Sequence, residues 1–174
     1  MDEAKITEMV RVATDEVFRT MFGMEVEPGE SFMEQGASES YDGLVSLVGI
    51  AGSWTGTGSV YCSSDLAMQI TSAMFMMETT SVNLEVLDAM SEMSNMIIGN
   101  VKSMLETELG PLGLSIPTVI YGRNYRALSG GKRERLVVPF QCGGHRMEVK
   151  VCLVRGSESS GAGTRFAGAQ QTHY

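Results

Sequence analysis

The sequence predicts an α+β protein in which long helices pack on a mostly antiparallel β-sheet. Three stretches repeat apolar residues at helical spacing, and five shorter runs are strand-like, one of them strictly alternating. Their order is helix, two or three strands, two helices, then three strands. That order segregates helices from strands, where a parallel sheet would alternate them.

The first helix is expected over Asp2 to Phe22, with Ile6, Val10, Ala13, Val17 and Met21 on its apolar stripe. Gly23 ends it in the usual C-terminal position. A short strand is expected over Met24 to Glu27, stopped by Pro28-Gly29, and a loop over residues 29–41. Two β-rich runs follow, Leu44–Ala51 and Gly58–Cys62, with a tight connection through Gly52, Gly56 and Gly58. Ser63 or Ser64 is a suitable N-cap for a second helix over Asp65 to Met77, with Leu66, Ile70, Ala73 (or Met74) and Met77 facing inward.

The third helix, Asn83 to Leu109, organises the chain. Val86, Met90, Met93, Ile97, Val101 and Met104 share its apolar arc; Asp88, Glu92, Asn95 and Gly99 share the other side. Glycine inside a helix costs about 0.5–1 kcal/mol relative to alanine, so Gly99 asks for a compensation, and close approach of another backbone is one. Packing of Gly99 against a neighbouring element is another. Gly110-Pro111 stops the helix. Strands are then expected over Ser115–Tyr121, Arg135–Phe140 and Met147–Val154, where Met147, Val149, Val151 and Leu153 alternate with polar neighbours.

At 174 residues, one domain over 1–155 is expected, large enough to bury its own core, followed by a disordered tail over 156–174 with little to bury. The net charge of −8 argues against nucleic acid as a partner. No apolar run reaches membrane-spanning length, and the charged start lacks a secretory core, so a cytoplasmic protein is expected. Cys62, Cys142 and Cys152 form no Cys-x-x-Cys pair, and Cys142 with His145 makes at most half a metal site; none is expected. Most of the fourteen methionines belong in the core, with Met96 set apart beside the Glu92–Asn95 face. Gly56-Thr-Gly58 lacks the third glycine of a dinucleotide loop. Gly131-Lys132 has Arg126 and Arg133 where a phosphate loop needs glycine and a hydroxyl. His145 and His173, the only histidines, support no Ser-His-Asp triad.

Asp88-x3-Glu92-x2-Asn95 on a helix, with Pro117 in the strand after it, resembles the CheX/CheC/FliY family of chemotaxis phosphatases, CheX most closely. Asn95-Met-Ile-Ile-Gly-Asn100 and Gly52-x3-Gly56-x-Gly58-x-Val60 are similar to that family as well. CheC-like members carry Glu-x2-Asn twice; here Glu16 is followed by Arg19 at the matching position, so one copy remains, as in CheX. The resemblance implies a CheC/CheX-like fold, a homodimer, and hydrolysis of the phosphoaspartate of a CheY-like receiver domain. It implies catalytic roles for Glu92, pairing with the receiver's active-site lysine, and for Asn95, orienting water, with Asp88, Met96 and Gly99 binding the partner. Pro117 and Asn100 are given structural roles. No cofactor of its own is implied, and Mg²⁺ is expected in the receiver. A non-catalytic module that docks a receiver or motor component is the alternative.

Overall fold

The structure, a computed structural model, describes residues 2–35, 41–125 and 134–156. Helix α1 (Glu3–Val17) is capped by Asp2, whose carboxylate accepts from the Ala4 amide, and continues as a π-helical turn, Phe18–Phe22. Gly23 closes it in the left-handed region (φ 63°), as expected. Helix α2 (Ser64–Phe75) is capped by Ser63, and α3 (Leu84–Leu109) by Asn83, each accepting from the amide three residues on.

The strands are β1 (Glu27–Pro28), β2 (Phe32–Gln35), β3 (Tyr41–Gly52), β4 (Trp54–Cys62), β5 (Leu112–Leu114), β6 (Thr118–Tyr125), β7 (Glu134–Cys142) and β8 (His145–Arg155). All pair antiparallel in one sheet. Its order is β1-β7-β8-β4-β3-β5, with β2 lying further along the β7 edge and β6 further along the β3 edge. The helices cover one face. Leu44, Val48 and Ile50 of β3 join Val60 and Cys62 of β4, Val138 and Phe140 of β7, and Met147 and Val149 of β8 in a single core with α1, α2 and α3.

The fold class agrees with the expectation, and several local expectations are corrected. Met21, expected on the apolar stripe of the first helix, is exposed, because the π-helical turn shifts the register and buries Phe18 and Phe22 in its place. The strand expected over Met24–Glu27 is displaced to Glu27–Pro28, since the chain first follows the π-helical turn past Gly23. The loop expected over 29–41 contains β2, paired with β7 from Phe32↔Val137 to Gln35↔Glu134. Met77 leaves the core: α2 ends at Phe75, Met76 takes the left-handed conformation (φ 52°), and Met77 is turned out to solvent. The glycines thought to form a connection lie instead in β3 and β4, with only Ser53 between the strands. Gly58 has a packing reason to be there. A Cβ on it would stand 2.6 Å from Ile98 Cδ1, so α3 seats directly on β4 where the side chain is missing. The tail and the stretch around Gly131-Lys132 lie, from residues 157 and 126 respectively, outside the described residues.

On β8, Glu148 and Lys150 alternate with the core residues Met147, Val149 and Val151, yet both are buried. Lys150 reaches Glu34 on β2 through both carboxylate oxygens (3.1 Å each), Glu148 at 3.2 Å, and the Tyr41 hydroxyl. Arg135 also pairs with Glu34 at 3.2 Å, and Arg146 with Glu148 at 2.5 Å. Burial by itself lowers the pKa of the Lys150 ammonium. The bond to Tyr41, the charge of Glu148 and the bond to Glu34 reverse that, holding it above its ordinary value.

Lys150→Ala, which leaves the buried Glu148 and the half-buried Glu34 short of their shared cation, is expected to cost about 3 kcal/mol in urea unfolding at pH 7. Because the folded pKa is raised, the ammonium's contribution is complete below the unfolded value of about 10.4 and is lost as pH rises through the folded one. The gap between wild type and variant therefore holds from neutral pH to about pH 10 and narrows only above it.

A candidate active site on the exposed face of the long helix

Helix α3 is fixed along its length. Val86, Met90, Met93, Ile97, Ile98 and Val101 are fully buried, and the Ser94 hydroxyl donates back to the Met90 carbonyl at 2.7 Å. At its C-terminal end Gly110 adopts φ 77°, Ser53 donates to the Leu109 carbonyl, and Glu106 accepts from the Leu112 amide at 2.8 Å. That amide bond and Lys102 hold the Glu106 carboxyl below its usual range. Met104, expected on the apolar arc, is half-buried at its margin.

With one face held, the other is a defined ridge. At about 100° per residue, Leu84, Asp88, Glu92, Asn95, Gly99, Lys102 and Glu106 fall within about 40° of one line along the helix. Asp88, Glu92 and Asn95 are exposed. Among the described residues nothing hydrogen-bonds or ion-pairs with the side chains of these three, whereas Lys102 and Glu106 pair with each other at 3.0 Å. The carboxylate of Glu92 and the carboxamide of Asn95 stand side by side, one turn apart, with all their bonding capacity directed outward.

Gly99 continues the ridge beyond Asn95. A Cβ there would meet nothing within 4 Å, so among the described residues no neighbouring element requires the glycine. Packing among the described residues therefore does not explain it, and the open backbone one turn past Asn95 does offer room to another molecule. Met96 is half-buried and rests against the core margin to one side of the ridge, less free than its sequence position suggests. Asn100 is half-buried and makes no side-chain hydrogen bond among the described residues, contrary to the structural bond expected of it.

Pro117 is half-buried just ahead of β6. Val82, ahead of α3, lines one groove with Tyr121 and Arg123 of β6, while Glu106 bonds Leu112 at the other end. The helix thus runs beside the β6–β5 edge, and Pro117 lies in the short segment between those two strands. The first helix presents nothing comparable: Arg19 is engaged with Asp15 at 2.6 Å.

Other chemistries find little support. Burial pushes the Cys62 thiol well up, with nearby Cys142 adding to the effect, and burial raises Cys142 too, so neither is a ready thiolate. Cys142 and His145 face each other across the β7–β8 turn. His145 Nε2 lies 3.2 Å from the Gln69 amide nitrogen, and Nδ1 3.5 Å from the Ser63 hydroxyl. Among the described residues no three His, Cys, Asp or Glu side chains gather as a metal site. No helix among them is long and apolar enough to cross a membrane.

A sheet covered on one face by three helices, with a free Glu-x2-Asn pair on the longest, defines a CheC-like protein. The family model for the chemotaxis phosphatase CheX matches residues 44–141, more than half of the chain. The chain belongs to the CheX family. Among solved structures, a CheX from Desulfovibrio desulfuricans is similar at TM-score 0.78 and 24% identity, over 86% of this chain and 99% of that one. A CheX from Borrelia burgdorferi, solved in complex with CheY, BeF3 and Mg²⁺, is similar at TM-score 0.73 and 26% identity, over 84% and 96%. FliY from Thermotoga maritima is more distant, at TM-score 0.66 and 16% identity, over 86% and 89%. Among curated protein sequences, none matches.

Two members of the ridge, Leu84 and Lys102, escape a search that starts from the acidic and amide residues. The signal was present in both cases, at four residues before Asp88 and three after Gly99. Because the space at Gly99 is open, Gly99→Ala is expected to stabilise the folded protein by about 0.5–1 kcal/mol, the ordinary helix preference. Thermal unfolding checks this. A loss of stability would mean that the fold itself needs the glycine.

Proposed function

We propose that this protein hydrolyses the phosphoaspartate of a CheY-type response-regulator receiver domain. The observation that carries the reading is the Glu92–Asn95 pair, exposed, one turn apart and unpartnered within the described chain. Membership of a chemotaxis phosphatase family supports it, as does a relative solved with CheY.

A phosphoaspartate is a mixed anhydride with a good leaving group. Water oxygen forms the new bond to phosphorus, the bond to the aspartyl oxygen breaks, and the aspartate leaves as a carboxylate. The proton of the water passes to the departing inorganic phosphate or to solvent. Such a transfer needs an in-line water and charge stabilisation more than a strong base. The Asn95 carboxamide suits that need, since it donates and accepts hydrogen bonds but takes no proton at neutral pH. Glu92, one turn away, would pair with the receiver's active-site lysine and fix the register of the two proteins. Asp88 extends the acidic surface that meets the receiver, Gly99 admits its backbone, and Met96 contributes an adaptable apolar margin. The Mg²⁺ belongs to the receiver, and the reaction takes place in the cytoplasm.

The test is loss of phosphate from a CheY-type receiver charged with a small phosphodonor. Wild type is expected to accelerate it. Asn95→Ala is expected to reduce the rate at saturating receiver at least about 100-fold, with thermal stability unchanged. Glu92→Ala is expected to weaken receiver binding as well as turnover. Binding without acceleration would leave a docking module in place of an enzyme.

The homodimer is also part of this reading. Strand β6 is an outer strand carrying exposed Ile120 and Tyr121, and such an edge accepts a strand from a second copy. Sedimentation at micromolar concentration is expected to give twice the monomer mass. A monomer throughout would remove the dimer and leave the chemistry untouched.

A further inference from the structure

Leu84 is the first residue of α3, and 77% of its surface is exposed. It stands one turn ahead of Asp88 on the same line as Glu92 and Asn95. The remainder of that ridge is acidic, amide, glycine or an ion pair, so Leu84 is its one large apolar side chain. Neither the hydrophobic staple nor the core uses it: Val82, before the Asn83 cap, is itself half-buried, and the buried face begins at Val86. Among the described residues Leu84 belongs neither to the core nor to the partly buried side chains packed against it.

Resting on the receiver-phosphatase reading, we infer that Leu84 is the apolar anchor on which the receiver domain seats itself. Eleven residues separate it from Asn95, about 16 Å along the helix axis. A standard interface covers about 800 Å² on each partner, a patch of about that radius, so a receiver centred on Glu92 and Asn95 reaches Leu84. Charged residues alone give register and encounter rate. Lifetime comes from a desolvated apolar contact, and this ridge offers one at its end. Leu84 is too far from the reacting phosphorus to touch it. It acts on affinity, and thereby on which receivers are held long enough to be hydrolysed.

The test is steady-state hydrolysis with a phosphorylated CheY-type receiver for wild type, Leu84→Ala, Leu84→Met, Asn95→Ala and Phe32→Ala. Phe32, 43% exposed on β2 at the opposite edge of the sheet, is the apolar control. Leu84→Ala is expected to raise KM about tenfold with kcat within twofold of wild type, the scale of burying one leucine. Leu84→Met is expected to restore KM, and Phe32→Ala to leave both constants unchanged. The exposed position keeps all these variants folded, which thermal unfolding verifies. An active wild type that requires Asn95, with KM unmoved in Leu84→Ala, overturns the inference and spares the phosphatase reading. A fall in kcat with KM unmoved also overturns it. No hydrolysis by wild type, with receiver binding insensitive to Leu84→Ala, overturns both.

Discussion

The seating of α3 on β4 governs the rest of the molecule. Ile98 occupies the volume that a side chain at position 58 would fill, and the missing Gly58 side chain is what admits it. A helix resting on a sheet is free to roll unless something keys it, and each residue of roll swings every side chain by about 100°. The Ile98–Gly58 contact, with Met93, Ile97 and Val101 locked into the core on either side, is such a key. It decides that Glu92 and Asn95 look away from the protein. One step of roll would carry the acid and the amide toward the flank, where the helix margin meets its neighbours.

The consequence for chemistry is rigidity without enclosure. The proposed reaction uses no cavity, and neither a bound metal nor an activated nucleophile of this chain takes part. It uses two side chains set a helical turn apart on a helix whose other face is buried in the core, and the receiver supplies the rest. Preorganisation of this kind comes from the buried half of the helix, so the core residues Met90 and Met93 serve the site while never approaching it.

How much of this could be read from residues alone follows from physics. The helices were legible because periodicity, caps and Gly110 all agreed, and the candidate face was legible because Glu92 and Asn95 sit one turn apart on the polar side, followed by a helix-interior glycine, Gly99. The glycines of β3 and β4 misled, since a local rule reads Gly52, Gly56 and Gly58 as a turn, whereas Gly58 answers to a helix forty residues away. The short strand β2 was hidden for a similar reason. Glu34 looks like loop composition until Lys150 and Arg135, brought over by β7 and β8, neutralise it. Met77 was misplaced by a helix assumed to run two residues too far. For the glycines and β2 a long-range contact overruled a short-range preference, whereas at Met77 the local left-handed turn at Met76 did so.

The unpartnered ridge also bears on how such a protein can change over generations. Side chains that the fold does not use are side chains the fold does not protect. Glu92 and Asn95 can be exchanged for almost any polar residue while the core, the caps and the sheet remain intact. Selection for a stable chain and selection for catalysis therefore act on separate sets of positions. On the proposed reading, a lineage can lose hydrolysis in one or two substitutions and keep a sound scaffold, free to be recruited as a pure docking platform.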